Sequence, residues 1–197
     1  MTIKFYHNPQ SRAALTHWLL EEIGTEYEIM PVAYEDGSMR TPEFLAINPM
    51  GKIPVIVDGD TIVTETTAIA IYLADKFKTP NDLAPGLDDK RRGEYLRWVA
   101  YQSACIDPAM MQANTKVEIP RQSAGWGSVE LVIDVLDQRL AKASPYLFGE
   151  WFTAADVLIG GAIGWATQFG MFEMRESFKP YLEAVQSRPA FQKVFAR

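Results

Sequence analysis

The sequence predicts two unlike halves, an α/β domain with a mixed sheet followed by an all-α domain. Three observations carry this. Strand-like and helical runs alternate over residues 1–78, residues 79–87 are dense in turn formers, and the apolar spacing from residue 88 to 197 is helical. The first part reads strand, helix, strand, helix, strand, strand, helix, or βαβαββα. A βαβ unit followed by a hairpin and a helix gives a mixed sheet with helices packed on it, its first crossover right-handed.

Residues 3–6 (Ile3-Lys4-Phe5-Tyr6) alternate with period two, and Asn8-Pro9 breaks the run. Ser11 is placed to cap the next helix, whose stripe is Leu15, Trp18, Leu19 and Ile23. Gly24 is placed to stop it, because glycine takes the left-handed C′ conformation without a Cβ penalty. Residues 27–32 read as a second strand, and residues 41–45 begin a short helix with Pro42 at its first position. Residues 53–57 and 61–63 are strands joined by the turn Asp58-Gly59-Asp60, and residues 66–77 form a helix carrying Ile69, Leu73 and Phe77.

After the linker, residues 88–113 form a long helix with Leu96, Val99 and Ala100 inward and a kink expected at Cys105-Ile106-Asp107-Pro108. Residues 128–143 form another, with Leu131, Val135, Leu136 and Leu140 at helical spacing. Residues 155–168 are nearly all apolar, which predicts a central buried helix; residues 180–186 and 190–195 are short terminal helices. Trp126, Trp165, Phe169 and Phe172 are assigned to the core.

The chain has 197 residues, 48% hydrophobic and 22% charged, enough to bury a core without disulfides or metals. Nineteen Lys and Arg against 25 Asp and Glu leave a formal charge of −6, which argues against general nucleic-acid binding. Cys105 is the sole cysteine, so a disulfide framework, a CxxC redox pair and multi-thiolate zinc sites are excluded. His7 and His17 are the only histidines, HExxH is absent, and no metal site is predicted. The opening MTIKFYHNPQ has no apolar run and no stretch reaches the roughly 18 residues of a span, so neither signal peptide nor membrane helix is predicted and a cytoplasmic setting is expected.

Three segments point to chemistry. In Tyr6-His7-Asn8-Pro9-Gln10-Ser11-Arg12 a strand ends and a hydroxyl stands at a helix start. Free N–H groups and the helix dipole favour an anion there and lower a thiol's pKa, so Ser11 or Tyr6 is placed to donate to a thiolate; the plainer role for Ser11 is a cap alone. In Asn48-Pro49-Met50-Gly51-Lys52-Ile53-Pro54-Val55 a proline sits at the start of an apolar strand, which a cis Ile53–Pro54 bond would explain. Such a turn would leave the Val55 backbone free to pair with an extended peptide. In Thr64-Glu65-Thr66-Thr67, the Thr66 hydroxyl and the helix start suit a carboxylate and Glu65 suits an ammonium, the two ends of an amino acid.

In this order the segments resemble the cytosolic glutathione S-transferase family, of a bacterial type that uses serine or tyrosine. The resemblance runs over essentially the whole chain and includes Trp18-Leu19-Leu20-Glu21-Glu22-Ile23-Gly24 and the capping box Thr153-Ala154-Ala155-Asp156. It implies a thioredoxin-like N-terminal domain, a helical C-terminal domain and a homodimer. It implies glutathione as co-substrate, with Lys52 near the glycine carboxylate, Ile53, Pro54 and Val55 along the cysteinyl backbone, and Glu65 and Thr66 on the γ-glutamyl end. The thiolate activator is Ser11, favoured by its place at the helix start, or Tyr6, with Arg12 adding positive field or bracing the loop. Tyr101, Cys105, Met110 and Met111 are expected to wall a pocket for a small hydrophobic electrophile. The activity implied is conjugation; a peroxidase, an isomerase or a non-catalytic binding module on the same scaffold is the alternative.

Overall fold

A four-stranded sheet in the order β2-β1-β3-β4 organises the N-terminal part. The computed structural model describes residues 2–35, 37–77, 79 and 82–195; of the expected linker region, Lys78, Pro80 and Asn81 lie outside the described residues. Strand β1 (Ile3–His7) pairs in parallel with β2 (Tyr27–Pro31), Phe5 opposite Ile29. Strand β3 (Val55–Asp58) runs antiparallel between β1 and β4 (Thr61–Thr64), Ile56 opposite Phe5 and Val63. Helix α1 (Ala13–Ile23) is the crossover from β1 to β2, and α3 (Thr66–Lys76) follows β4. The two-residue pleat sends Ile3 and Phe5 into the main core, while Tyr6 turns to the other face against Phe44 of α2 (Pro42–Ile47).

Local chemistry sets the helix ends. Gly24 takes φ +72° and its N–H closes α1 onto the Leu20 carbonyl at 2.9 Å. The Thr41 hydroxyl accepts the Phe44 N–H at 3.2 Å, with Pro42 next to it at the start of α2. Arg12, rather than Ser11, occupies the α1 cap position; the Ser11 hydroxyl still accepts the Ala13 N–H at 3.0 Å.

The C-terminal part is helical: α4 (Arg92–Tyr101), a π-turn (Gln102–Ile106), α5 (Asp107–Thr115), α6 (Val129–Leu140), α7 (Ala154–Gln168), α8 (Phe178–Gln186) and α9 (Pro189–Phe195). The kink expected near Pro108 is the π-turn, closed by the Asp107 N–H on the Gln102 carbonyl. Pro108 has no N–H to continue an α-helical ladder through this segment. Three expected inner positions are exposed instead. Tyr95, Trp98 and Val99 face the core of α4 and leave Leu96 and Ala100 outside, because the aromatic side chains bury more surface. On α6 the inward line is Val132, Leu136 and Leu140, while Leu131 lies outside over Gly127.

Helix α7 is the central buried helix. Asp156 accepts from the Thr153 N–H at 2.9 Å, the Thr153 hydroxyl at 3.0 Å, the Leu147 N–H at 2.8 Å and the Tyr181 hydroxyl at 3.1 Å. Trp165 and Phe169, expected in the core, are 43% and 56% exposed, their rings paired at 4.6 Å where α7 emerges from its neighbours. Phe172 is buried. The linker is anchored, since the Leu83 carbonyl accepts the Ala154 N–H at 2.8 Å.

Both parts share one core, joined through α1. Gly161 of α7 lies under Leu15, so close that a Cβ there would stand 2.1 Å from Leu15 Cδ2. Gly161→Ala is expected to destabilise the protein by about 1 kcal/mol, roughly 2–4 °C in Tm, since overpacking against the Leu15 methyl outweighs the helix propensity that alanine gains. In a Leu15→Ala background the same change is expected to stabilise by about 1 kcal/mol, a coupling that urea denaturation of the four proteins would read.

Burial pushes the Asp156 carboxyl up to about 6 against the pull of its four donors. The native protein thus keeps a proton that the unfolded chain has lost. This contribution to stability is full below 3.8 and falls as pH rises toward about 6. The expected slope is about 1 kcal/mol per pH unit in that window, absent in Asp156→Asn, as read by chemical denaturation of both proteins across it.

Candidate functional site

Two asparagine-built turns and the start of α1 shape one end of a cleft between the two parts. Asn8 donates to the Val32 carbonyl at 2.8 Å and accepts the Gln10 N–H at 2.9 Å, fixing the loop before α1. Asn48, buried, donates to the Lys52 carbonyl at 2.8 Å and accepts the Met50 N–H at 3.1 Å. Gly51 takes φ +60°, and a Cβ there would lie 2.8 Å from the Met39 carbonyl oxygen. These turns bring Ser11, Arg12, Tyr34, Met39, Lys52 and Ile53 onto one wall.

The cleft has a volume of about 690 Å3. Its other walls come from Gln102, Asp107 and Met110, from the α7 face carrying Gly161, Gly164 and Trp165, and from Phe191 and Phe195 of α9. It therefore combines polar groups with an apolar, partly aromatic side, as ligand clefts do.

The expected site residues divide. Ser11, Arg12, Lys52 and Ile53 line the cleft together, as does Met110. The Ser11 hydroxyl donates to the Asn8 carbonyl at 2.7 Å while accepting from Ala13. Tyr6 does not line it; its ring is packed edge-on against Phe44, 5.5 Å between centroids. The Ile53–Pro54 bond is cis, and Val55 begins β3 between Tyr6 and Thr64. Glu65 has φ +67° and ψ 123°, a left-handed backbone strained for a non-glycine residue, immediately before Thr66 opens α3. Pro54, Val55, Glu65 and Thr66 stand outside the cleft wall that Ser11 shares.

Three expected pocket walls are elsewhere. Met111 points outward at 57% exposure, and Tyr101 is packed edge-on against Trp98 at 5.4 Å. Cys105 is partly buried against the core, and burial pushes its thiol up, away from nucleophilic character. Gln102 and Asp107 take their place. Apolar spacing gave no signal for either, because both side chains are polar, and the π-turn between them is not legible in the sequence.

Arg12 Nε pairs with Asp107 at 2.9 Å, tying the start of α1 to the start of α5. Burial pushes the Asp107 carboxyl up, while Arg12 and a hydrogen bond from the Gln102 side chain pull it down. Arg12 is thus a brace, and its positive field is largely neutralised at short range. Among the described residues no group of His, Cys, Asp or Glu side chains is arranged to hold a metal ion, and no helix is long and apolar enough to cross a membrane.

The glutathione S-transferase N-terminal domain family model matches residues 1–75. Glutathione S-transferase 3 of Zea mays is 30% identical over 98% of this chain and 93% of its own. A glutathione transferase from Methylococcus capsulatus superposes with a TM-score of 0.79 at 27% identity, over 98% of this chain and 97% of that one. A family member from Pseudomonas fluorescens, crystallised with two glutathione molecules bound, gives 0.79 at 28% identity, over 98% and 92%. The chain belongs to the glutathione S-transferase family and has its fold, a thioredoxin-like N-terminal sheet domain and a helical C-terminal domain. The family is one of transferases.

The Arg12–Asp107 tie generates a prediction. Asp107→Asn is expected to loosen the first turn of α1 by about 1 kcal/mol, the scale of a partly exposed ion pair. Amide hydrogen exchange at Ala13 to Leu15 would then be about fivefold faster, with exchange in β1 unchanged.

Proposed function

We propose that glutathione binds along the N-terminal domain with its sulfur at the Ser11 end of the cleft, that the thiol pKa is lowered there, and that the cleft holds a small electrophile against the thiolate. The observation that carries the reading is a hydroxyl at a helix start, Ser11, lining the same wall as Lys52 and Ile53. In this reading the cysteinyl backbone lies along Ile53, Pro54 and Val55, and Lys52 meets the glycine carboxylate. The γ-glutamyl carboxylate meets the Thr66 hydroxyl and the start of α3, and its ammonium meets Glu65. The strained Glu65 backbone supports this assignment, since such strain concentrates at ligand clamps.

Ser11 acts by exchange of partners. Its hydroxyl hydrogen turns from the Asn8 carbonyl to the sulfur, while the Ala13 N–H keeps its oxygen in place. A neutral hydrogen bond is replaced by a charge-assisted one, a gain of about 1 kcal/mol. The α1 dipole adds about 0.5–2 kcal/mol. Together they lower a thiol of pKa about 8.5 by roughly one to two units. The thiolate then forms a sulfur–carbon bond, the electrophile's leaving group departs with its bonding pair, and the thiol proton goes to solvent. The enzyme contributes the thiolate and proximity, with no covalent intermediate on its own side chains. The electrophile is small and largely hydrophobic, bounded by Met110 and Trp165. Homodimeric assembly in the cytoplasm, within either a bacterial or a plant-like branch, completes the reading.

The ultraviolet absorbance of bound glutathione thiolate, followed against pH, tests it. The depressed pKa is expected to rise by about one unit in Ser11→Ala and to stay in place in Tyr6→Phe. The reverse pattern would transfer the role to Tyr6, and absence of glutathione binding would leave a binding module of other specificity.

A further inference from the structure

The cleft is longer than a reaction at the Ser11 end requires. Leu15, one turn into α1, lines it as well, and so do Phe191 and Phe195 of α9. Both rings pack edge-on against Trp18, at 5.0 and 6.2 Å between centroids. Trp18 lies two turns of helix beyond Ser11, about 10 Å along the axis of α1. Trp165 belongs to the same end. Its neighbour Gly164 comes up to the last turn of α8, where a Cβ would stand 3.3 Å from Gln186 Nε2, and α9 begins just after it.

Charge and aromatic surface are segregated along this length. Among the described residues, the charged side chains lining the cleft are Arg12, Lys52 and Asp107, all at the Ser11 end. The far end offers rings and the neutral Gln186 amide. Trp165 and Phe195 leave 43% and 37% of their surface uncovered there. Exposed apolar surface continuous with a cleft marks a ligand groove, and about 690 Å3 is room for a drug-sized molecule.

We infer that Trp165, Phe191 and Phe195 form a second-substrate subsite for a neutral aromatic group carried about 10 Å from the electrophile's reacting carbon. Ring faces and edges supply offset and edge-on contacts that an aliphatic group of the same size does not reproduce. The inference rests on the glutathione reading and changes its substrate class from compact hydrophobic electrophiles to elongated ones with an aromatic tail.

Two series of primary alkyl iodides test it, one ending in phenyl and one in cyclohexyl, with linkers of two, four, six or eight methylenes. In each, the glutathione sulfur bonds to the terminal carbon, iodide leaves with the bonding pair, and the thiol proton goes to solvent. A staggered carbon chain advances about 1.3 Å per bond, so six methylenes and the ring cover the span. Each kcat/KM is divided by the rate constant with free glutathione. The phenyl-to-cyclohexyl ratio at each length then cancels the general gain from added methylenes. That ratio is expected to peak at six methylenes, about fivefold above its value at two. In the double variant Trp165→Leu/Phe195→Leu, which replaces two partly exposed rings, the ratio is expected to be level across the lengths. A level ratio in the wild type, or a peak kept in the folded double variant, would overturn the inference. If that variant does not fold, the wild-type series decides. Bound-thiolate absorbance in the same samples separates the two readings. Bound, activated glutathione with a level ratio overturns this inference alone, and no bound glutathione overturns both.

Discussion

Helix α1 is buried from two sides, and the architecture depends on that constraint. One side covers the sheet with α3, and the other must meet α7, whose Gly161 gives Leu15 room to approach. Trp18 is fully buried between the parts, edge-on to Phe191 at 5.0 Å and tilted against Phe152 at 5.9 Å. At the far end Arg188 makes two 2.7 Å bonds to Glu22 while its guanidinium lies 3.7 Å over the Phe152 ring. Glu22 also accepts from the Trp18 indole at 2.9 Å, so one carboxylate satisfies donors from both parts. A charge this enclosed is stable only while paired, which commits α8 and α9 to the position of α1.

That commitment reaches the cleft because α1 begins at Ser11 and Arg12. The loop before it has two independent anchors, the Asn8 turn from the sheet side and the Arg12–Asp107 pair from the helical side. Placement of a hydroxyl to within a fraction of an ångström requires such over-determination, since a small displacement forfeits much of a hydrogen bond's value. The ion pair itself contributes little net charge to the site. Positive potential near the Ser11 oxygen therefore comes chiefly from the N–H groups of the first turn, which are fixed in direction and cannot be neutralised by a neighbour.

The sequence made much of this legible because several signals have one physical outcome. Period-two alternation set the strands, Gly24 and Pro42 set helix ends, and Thr153 with Asp156 marked the buried helix. The loop motifs named the cleft wall of Ser11, Arg12, Lys52 and Ile53. Signals with two outcomes misled. On α4, Leu96 and Ala100 share helical spacing with Tyr95 and Val99, and only tertiary packing decides which stripe turns inward. Trp165 and Phe169 are large and apolar, but composition does not tell where a helix leaves its neighbours. Tyr6 is a candidate by its place at the strand end before α1, whereas the pleat of β1 carries it to the α2 face.

The π-turn is the feature least accessible to pattern reading, and it separates two tasks. Everything that prepares a thiolate in the proposed mechanism is built from the N-terminal loops, where Asn8, Asn48 and Gly51 fix the backbone. The wall that would meet the second substrate in that mechanism includes the π-turn and α5, where Gln102 and Asp107 stand beside the expected Met110, and Tyr101, Cys105 and Met111 do not line the cleft. Only the Arg12–Asp107 pair touches both. Loss or gain of a single residue in this helix would rotate the wall by roughly 100° and change which side chains face the cleft, while the hydroxyl at α1 stayed where the sheet and α7 hold it. A scaffold arranged this way can alter the polarity of the cleft wall at the π-turn by a shift in helical phase without rebuilding the loops that place Ser11 and Lys52.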